Sequence, residues 1–162
     1  MQETTHDRPN VIIFPPVILV ATVALACLLQ WLAPLAELGA FNQTGRVLSG
    51  VAFILAGVCL AAAGRSMLVR LGTNVSPMQP TTALATSGVY SWTRNPLYSG
   101  GTLVMLGLAS VFAIDWLMLL ILPSLLLLHF GVVTREERYL EQKFGDEYRR
   151  YKASVARYGL GM

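Results

Sequence analysis

Four long stretches of this chain lack charge. Between Asn10 and Glu37 the one ionisable side chain is the thiol of Cys27, and between Arg46 and Arg65 it is that of Cys59. Only Tyr98 interrupts the run from Arg94 to Asp115, and only His129 the run from Asp115 to Arg135. With 13% of residues charged and 54% hydrophobic, the composition excludes an ordinary soluble domain. Cysteine is nearly missing too. Cys27 and Cys59 have no metal-ligand spacing and no histidine neighbours, so they mark neither a disulfide framework nor a metal site and read as packing residues. The Gly-x-Gly-x-x-Gly fingerprint is also missing, which argues against a Rossmann nucleotide domain.

What is present is hydrocarbon-facing sequence. About 20 apolar residues at roughly 1.5 Å rise cross a bilayer core, and each uncharged gap is long enough. The expected fold class is therefore all-α and integral to the membrane, with four transmembrane helices and a C-terminal amphipathic cytosolic helix. The first apolar run, Val11 to Leu32, is too long for a secretory signal core and continues through "LAPLAEL" without a small-x-small cleavage site, so it is expected to remain as a span. The chain is expected to form one domain, residues 1–162, with an N-terminal helix pair (1–70) followed by a loop, a helical hairpin and a terminal helix (71–162).

The positive charges orient this arrangement. Of twelve Lys and Arg, Arg46 alone falls on the side opposite the termini; the rest lie before the first span, between spans two and three, or in the tail. By the positive-inside rule both termini are cytoplasmic, as in a bacterial inner-membrane protein. The basic pI of about 9.1 then reflects topology and contact with anionic membrane lipids, not a nucleic-acid partner. Oligomeric state leaves no trace in the sequence.

Small residues in span two (Gly50, Gly57, Ala61 to Ala63) and span three (Gly100, Gly101, Gly107) predict close helix packing. Spans three and four are separated by little more than Asp115 and Trp116, hence a tight hairpin at the outer face. On the inner face, Leu71 to Pro96 is rich in Pro, Gly and hydroxyls; it is too long for a plain connector and its aromatics argue against disorder. From Thr134 to Tyr158 one apolar stripe recurs, Leu140, Phe144, Tyr148, Tyr151, Val155 and Tyr158, predicting an amphipathic helix at the membrane face with a bend or break at Gly145.

Stepping four residues back from Leu140 puts Glu136 on the inward face, while Glu137 aligns with Glu141 toward water. An inward carboxylate is costly unless it meets a cation or donors, so Glu136 needs a partner: Arg94 in a structural ion pair, or a cationic ligand. His129 lies two turns earlier, where an intramembrane ionisable group is a functional candidate, or a histidine satisfied by a nearby carbonyl.

Two segments carry a family likeness. "TSGVYSWTRNPLYSGG" and, after the hairpin, "EERYLEQKFGDEYRRYKASVAR" resemble the isoprenylcysteine carboxyl methyltransferase family and its prokaryotic relatives, over roughly Thr81 to Arg157. That resemblance implies S-adenosylmethionine as cofactor, held on the cytosolic side between the loop before the hairpin and the helix after it. It implies cofactor-binding roles for Thr82, Ala83, Leu84, Ala85, Tyr90, Asn95, Pro96, Leu97, Tyr98 and Glu136, and catalytic roles for Arg94, Glu136 and Glu137. The sequence departs from the family's methylesterifying enzymes twice. Asn95 replaces a histidine, as in many bacterial members, and Val132 occupies the place of an arginine that serves the acceptor.

A sulfonium donor carries an activated methyl, so alignment and water exclusion are the main catalytic needs. Aromatic faces at Tyr90, Trp92 and Tyr98 suit a sulfonium or an adenine. A carboxylate acceptor needs no base, whereas an amine or hydroxyl would draw on Glu136, Glu137 or His129. The expected acceptor is lipidic or isoprenoid-like, with a phospholipid or lipid-amine N-methyltransferase as the alternative. A different class is a sterol-reductase-like protein that binds NADPH, or a non-catalytic relative. A four-helix proton-coupled transporter is disfavoured, since no span carries an acidic residue.

Overall fold

The computed structural model describes residues 7–159, and those residues contain helices and no strand. Six α-helices follow in order: α1 (Pro15–Leu32), α2 (Gln43–Arg70), α3 (Pro96–Phe112), α4 (Asp115–Leu128), α5 (Thr134–Phe144) and α6 (Asp146–Ser154). A π-turn, His129–Val133, joins α4 to α5 without interrupting the rod. Three helices are long and apolar enough to cross a membrane: α1, α2 and the continuous Asp115–Phe144 helix, with mean hydropathies of 2.0, 2.3 and 2.3. The fourth expected span, α3, is apolar but shorter, at 17 residues.

Glycine fixes the tightest contact. On α2, Gly50, Gly57 and Gly64 are buried at intervals of one heptad and lie on one face, where they meet α3 running antiparallel. A methyl added at Gly57 would sit 2.5 Å from the Gly100 carbonyl oxygen, and one at Gly107 would sit 2.6 Å from the Gly50 carbonyl oxygen. Such spacing admits only hydrogen on the alpha carbon. Gly64 closes the seam at the inner end, against Pro96 and Leu97.

Helix α1 packs on α4, not on its sequence neighbour α2. Its buried stripe of Ile18, Thr22 and Ala26 meets Leu117 and Ile121 toward one end and Leu128, Val132 and Val133 toward the other. At the other end of α3 the α3–α4 turn is as tight as expected, with Ala113 in the left-handed region at φ 52°. Asp115 accepts the Leu38 amide at 2.7 Å, Trp116 donates its indole N–H to Ala33, and Arg46 donates to the Ser110 and Val111 carbonyls at the end of α3.

The terminal helix expected from Thr134 to Tyr158 divides at Gly145, where the sequence predicts a bend or break, into α5 and α6. Gly145, at φ 54° and ψ −125°, breaks it because only glycine adopts that backbone readily, and helix ends at Ser154. Nor does the apolar stripe face the bilayer. Leu140, Phe144, Tyr148, Tyr151 and Val155 pack against Leu84, Ala85, Val89 and Tyr90 of the inner loop and against Met67, Leu68 and Leu97. Amphipathicity sets which face is covered, and here protein covers it.

Candidate functional site

The inner loop and the terminal helices are joined by directed bonds. After α6 the chain runs extended past Thr93 to Asn95, where the Arg94 amide donates to the Ala156 carbonyl at 3.0 Å. The Thr93 hydroxyl and the Asn95 side-chain amide both donate to the Arg157 carbonyl. From α6 the Tyr151 hydroxyl donates to the Tyr90 carbonyl at 2.7 Å. Burial raises the pKa of both phenols, Tyr90 and Tyr151, so they stay protonated donors across physiological pH.

Between these walls lies a cleft of about 120 Å³ that opens to solvent. Of the residues expected to form a site, Leu84, Ala85, Tyr90, Arg94, Asn95, Pro96, Leu97, Tyr98, Glu136 and Glu137 all line it. Thr82 and Ala83 do not. Their amides donate to the Thr73 hydroxyl, and the Thr82 hydroxyl donates to the Gly72 carbonyl, so they brace the loop from outside. Trp92 points to solvent, 79% exposed, away from the cleft. His129 is also outside, its Nδ1 2.8 Å from the Tyr158 hydroxyl.

The two carboxylates reverse the expected division of labour. Glu137, expected to face water, is buried and clamped by two arginines. Arg157 reaches it in bidentate fashion at 2.9 and 2.7 Å, and Arg94 lies 3.1 Å away. Counting from Leu140 could not reveal this, because residues three and four back share one helix face. Arg94 is therefore Glu137's partner and not the ion-pair partner of Glu136. Glu136 lines the cleft with no cation beside it among the described residues; both its oxygens accept from the Tyr98 hydroxyl at 2.9 Å.

The consequence is electrostatic. Glu136 lies in α5, three residues past the end of the apolar run. Burial pushes its carboxyl up to about 7, the Tyr98 hydrogen bond pulls it down, and the neighbouring Glu137 charge adds to the rise. Arg94, for its part, meets the charge of Glu137 through Nη1 and leaves its Nε without a hydrogen-bond partner among the described residues. The cleft thus brings together a carboxylate lacking a cation and a guanidinium, paired with Glu137, that keeps one N–H without an acceptor among the described residues.

Sequence reasoning missed several walls. Asn74 to Pro77 and Thr81 extend the loop side, and Tyr148 lines the floor, its hydroxyl raised to about 12 by burial and by the nearby Glu137 charge. Pro9 closes one edge. It is held there by Asp7, which pairs with Lys143 at 2.6 Å and accepts from Tyr139, and by Arg135 donating to the Asn10 carbonyl. No periodicity in residues 7–10 signals such a strap.

The family model for phospholipid methyltransferases matches residues 45–147. The chain belongs to this family. It is an integral-membrane methyltransferase family related to the isoprenylcysteine carboxyl methyltransferases, so the likeness of the two motifs holds for the wider group, and the matching branch is the phospholipid one. The matched residues take in α2, the inner loop, the α3–α4 hairpin and α5, and with them every cleft wall except Pro9, Tyr148 and Tyr151. Among curated proteins, a stretch of 26 residues is 69% identical to an uncharacterized protein of Haemophilus influenzae; it covers 16% of this chain and 41% of that protein's length. No solved structure matches.

Proposed function

We propose that this protein is an S-adenosylmethionine-dependent membrane methyltransferase whose acceptor is the amine of a phospholipid headgroup. The observation that carries the reading is Glu136, a carboxylate aimed into the cleft with a hydroxyl and no cation for company. Its chemistry fits a cationic ligand. The unpartnered Nε of Arg94 fits that ligand's carboxylate, and Glu136 with Arg94 suits an amino-acid end carrying both charges. Tyr90, Leu84, Ala85 and Leu97 offer an apolar and aromatic bed for the nucleoside end. Bound there, S-adenosylmethionine would supply an activated methyl on a cationic sulfur, which would keep the S–CH3 electron pair as an unprotonated amine took the methyl, the proton of the resulting ammonium passing to solvent.

The chain's own contribution is to bind, align and dry the site. Glu137 is not a base here, since two arginines occupy its oxygens. Its role is to fix Arg94. The phospholipid branch of the family match supports an amine acceptor, as does Val132. Where the methylesterifying relatives have an arginine, this side chain is wholly buried among Ile18, Leu128 and Val133, far too apolar a setting for a carboxylate. Motif likeness to the prenylcysteine enzymes favours an isoprenoid carboxylate as the second reading. We further read α3 as a fourth span and the termini as cytoplasmic, which puts the cleft at the inner leaflet of a bacterial membrane.

Calorimetric titration of purified protein with S-adenosylmethionine and, separately, NADPH tests the cofactor. Binding of NADPH alone would replace this reading with a reductase. Labelled-methyl transfer into a total lipid extract, followed by identification of the product, then separates a methylated amine from a methyl ester.

A further inference from the structure

Because α1 packs on α4 and α2 on α3, the space between α1 and α2 is left open toward lipid. It forms a groove of about 1050 Å³, at the upper end of the ~300–1,000 Å³ typical of ligand sites. Leu19 and Val23 of α1 wall it on one side and Val58 and Ala62 of α2 on the other, with Val104 of α3 as floor. At its inner end the groove runs into the polar cleft. Leu97 and Tyr98 line both spaces, and Tyr98 is the residue whose hydroxyl rests on Glu136.

One charged side chain borders this apolar trough. Arg65 lies two turns from Val58 on the same face of α2; one turn further on, Leu68 already belongs to the cleft. Arg65 is exposed and makes no hydrogen bond or ion pair among the described residues, in contrast to Arg46, Arg94 and Arg157, each of which is held by protein groups. A guanidinium at the junction of an apolar groove and a polar cleft matches a molecule with an anion between a hydrocarbon tail and a reactive head.

We propose that Arg65 is a specificity-determining residue that binds the phosphodiester of a glycerophospholipid, with one acyl chain in the α1–α2 groove and the headgroup amine directed past Tyr98 into the cleft. The assignment rests on the amine-acceptor reading above and adds the residue that selects for phosphate. It puts the cation on α2 and not at Val132, because the anion to be held is not the reacting group.

Two lipids with identical tails test it, phosphatidylethanolamine and diacylglycerol, each titrated onto the purified full-length protein in detergent and followed by native mass spectrometry. The wild type should hold phosphatidylethanolamine at least about tenfold more tightly. Arg65→Leu should remove that preference by weakening the phospholipid alone, and Arg65→Lys should restore most of it, with S-adenosylmethionine binding unchanged in both. In turnover, Arg65→Leu should raise KM for phosphatidylethanolamine while leaving kcat within about twofold. If Arg65→Leu leaves the preference intact, or weakens both lipids equally, Arg65 only reaches for the interface and the inference falls. Should the wild type fail to bind S-adenosylmethionine, the proposed function falls instead, while the lipid preference still reports on Arg65.

Discussion

The Tyr98 hydroxyl lies 2.9 Å from both oxygens of the Glu136 carboxylate, so a residue of α3 supplies the one donor that this residue of α5 receives among the described residues.

Glu136→Gln should therefore weaken S-adenosylmethionine binding by about 10- to 100-fold, the roughly 1.5–3 kcal/mol of a charge-assisted contact. Thermal stability in detergent should hold or rise slightly, since no protein cation loses a partner. Calorimetry together with a melting curve on one preparation checks both halves.

Glu137→Gln should do the opposite. It removes the charge opposite Arg94, whose side chain is 8% exposed, and puts an amide NH2, a donor, in place of one of the two oxygens that accept from Arg157, which should cost about 3–5 kcal/mol of stability. Cofactor binding lost at 20 °C but regained at lower temperature would identify the defect as folding.

Affinity for a cationic ligand should depend on pH through Glu136. The carboxyl is raised to about 7, so binding must first release a proton below that value. Affinity should be flat above about pH 7 and fall by up to tenfold for each pH unit below it. Stability without ligand has the reverse sign: ionising a buried carboxyl costs free energy, so the ligand-free protein should lose stability as pH rises from about 4.5 to 7.

Tyr98→Phe removes the bond that holds the Glu136 pKa down, and the midpoint of that binding curve should move upward by about one pH unit. A midpoint that moved down or stayed put would mean the phenol does not govern the carboxylate.

Gly57→Ala should destabilise the α2–α3 seam by about 1–3 kcal/mol, because its methyl meets the Gly100 carbonyl oxygen at 2.5 Å and the Val104 amide nitrogen at 2.9 Å. Gly39→Ala, with nothing within 4 Å, should be silent in the same melting assay.

The apolar runs made the membrane class legible, since bilayer solubility demands them and little else does. The tight α3–α4 turn was legible for the same reason. What periodicity conveys is which face of a helix is covered; it does not say by what, and so the Leu140–Tyr151 stripe was assigned to lipid when the inner loop covers it. Glu136 and Glu137 were told apart by one step along a helix, too fine a distinction when both positions abut Leu140. Arg157 left no signal at all, because its partner depends on an extended tail whose course is set by Thr93 and Asn95, more than 60 positions earlier. Gly64 lay beyond the cluster of small residues that drew attention to Gly50 and Gly57, although its heptad spacing from them was available.

That tail also governs when the cleft can exist. Thr93, Arg94 and Asn95 each bind carbonyls at Ala156 or Arg157. Helices α1 to α3 are therefore complete in sequence before the carbonyls that finish the cleft wall exist. Laying down the apolar spans and closing that wall are separate events along the chain, and the second must wait for residue 157.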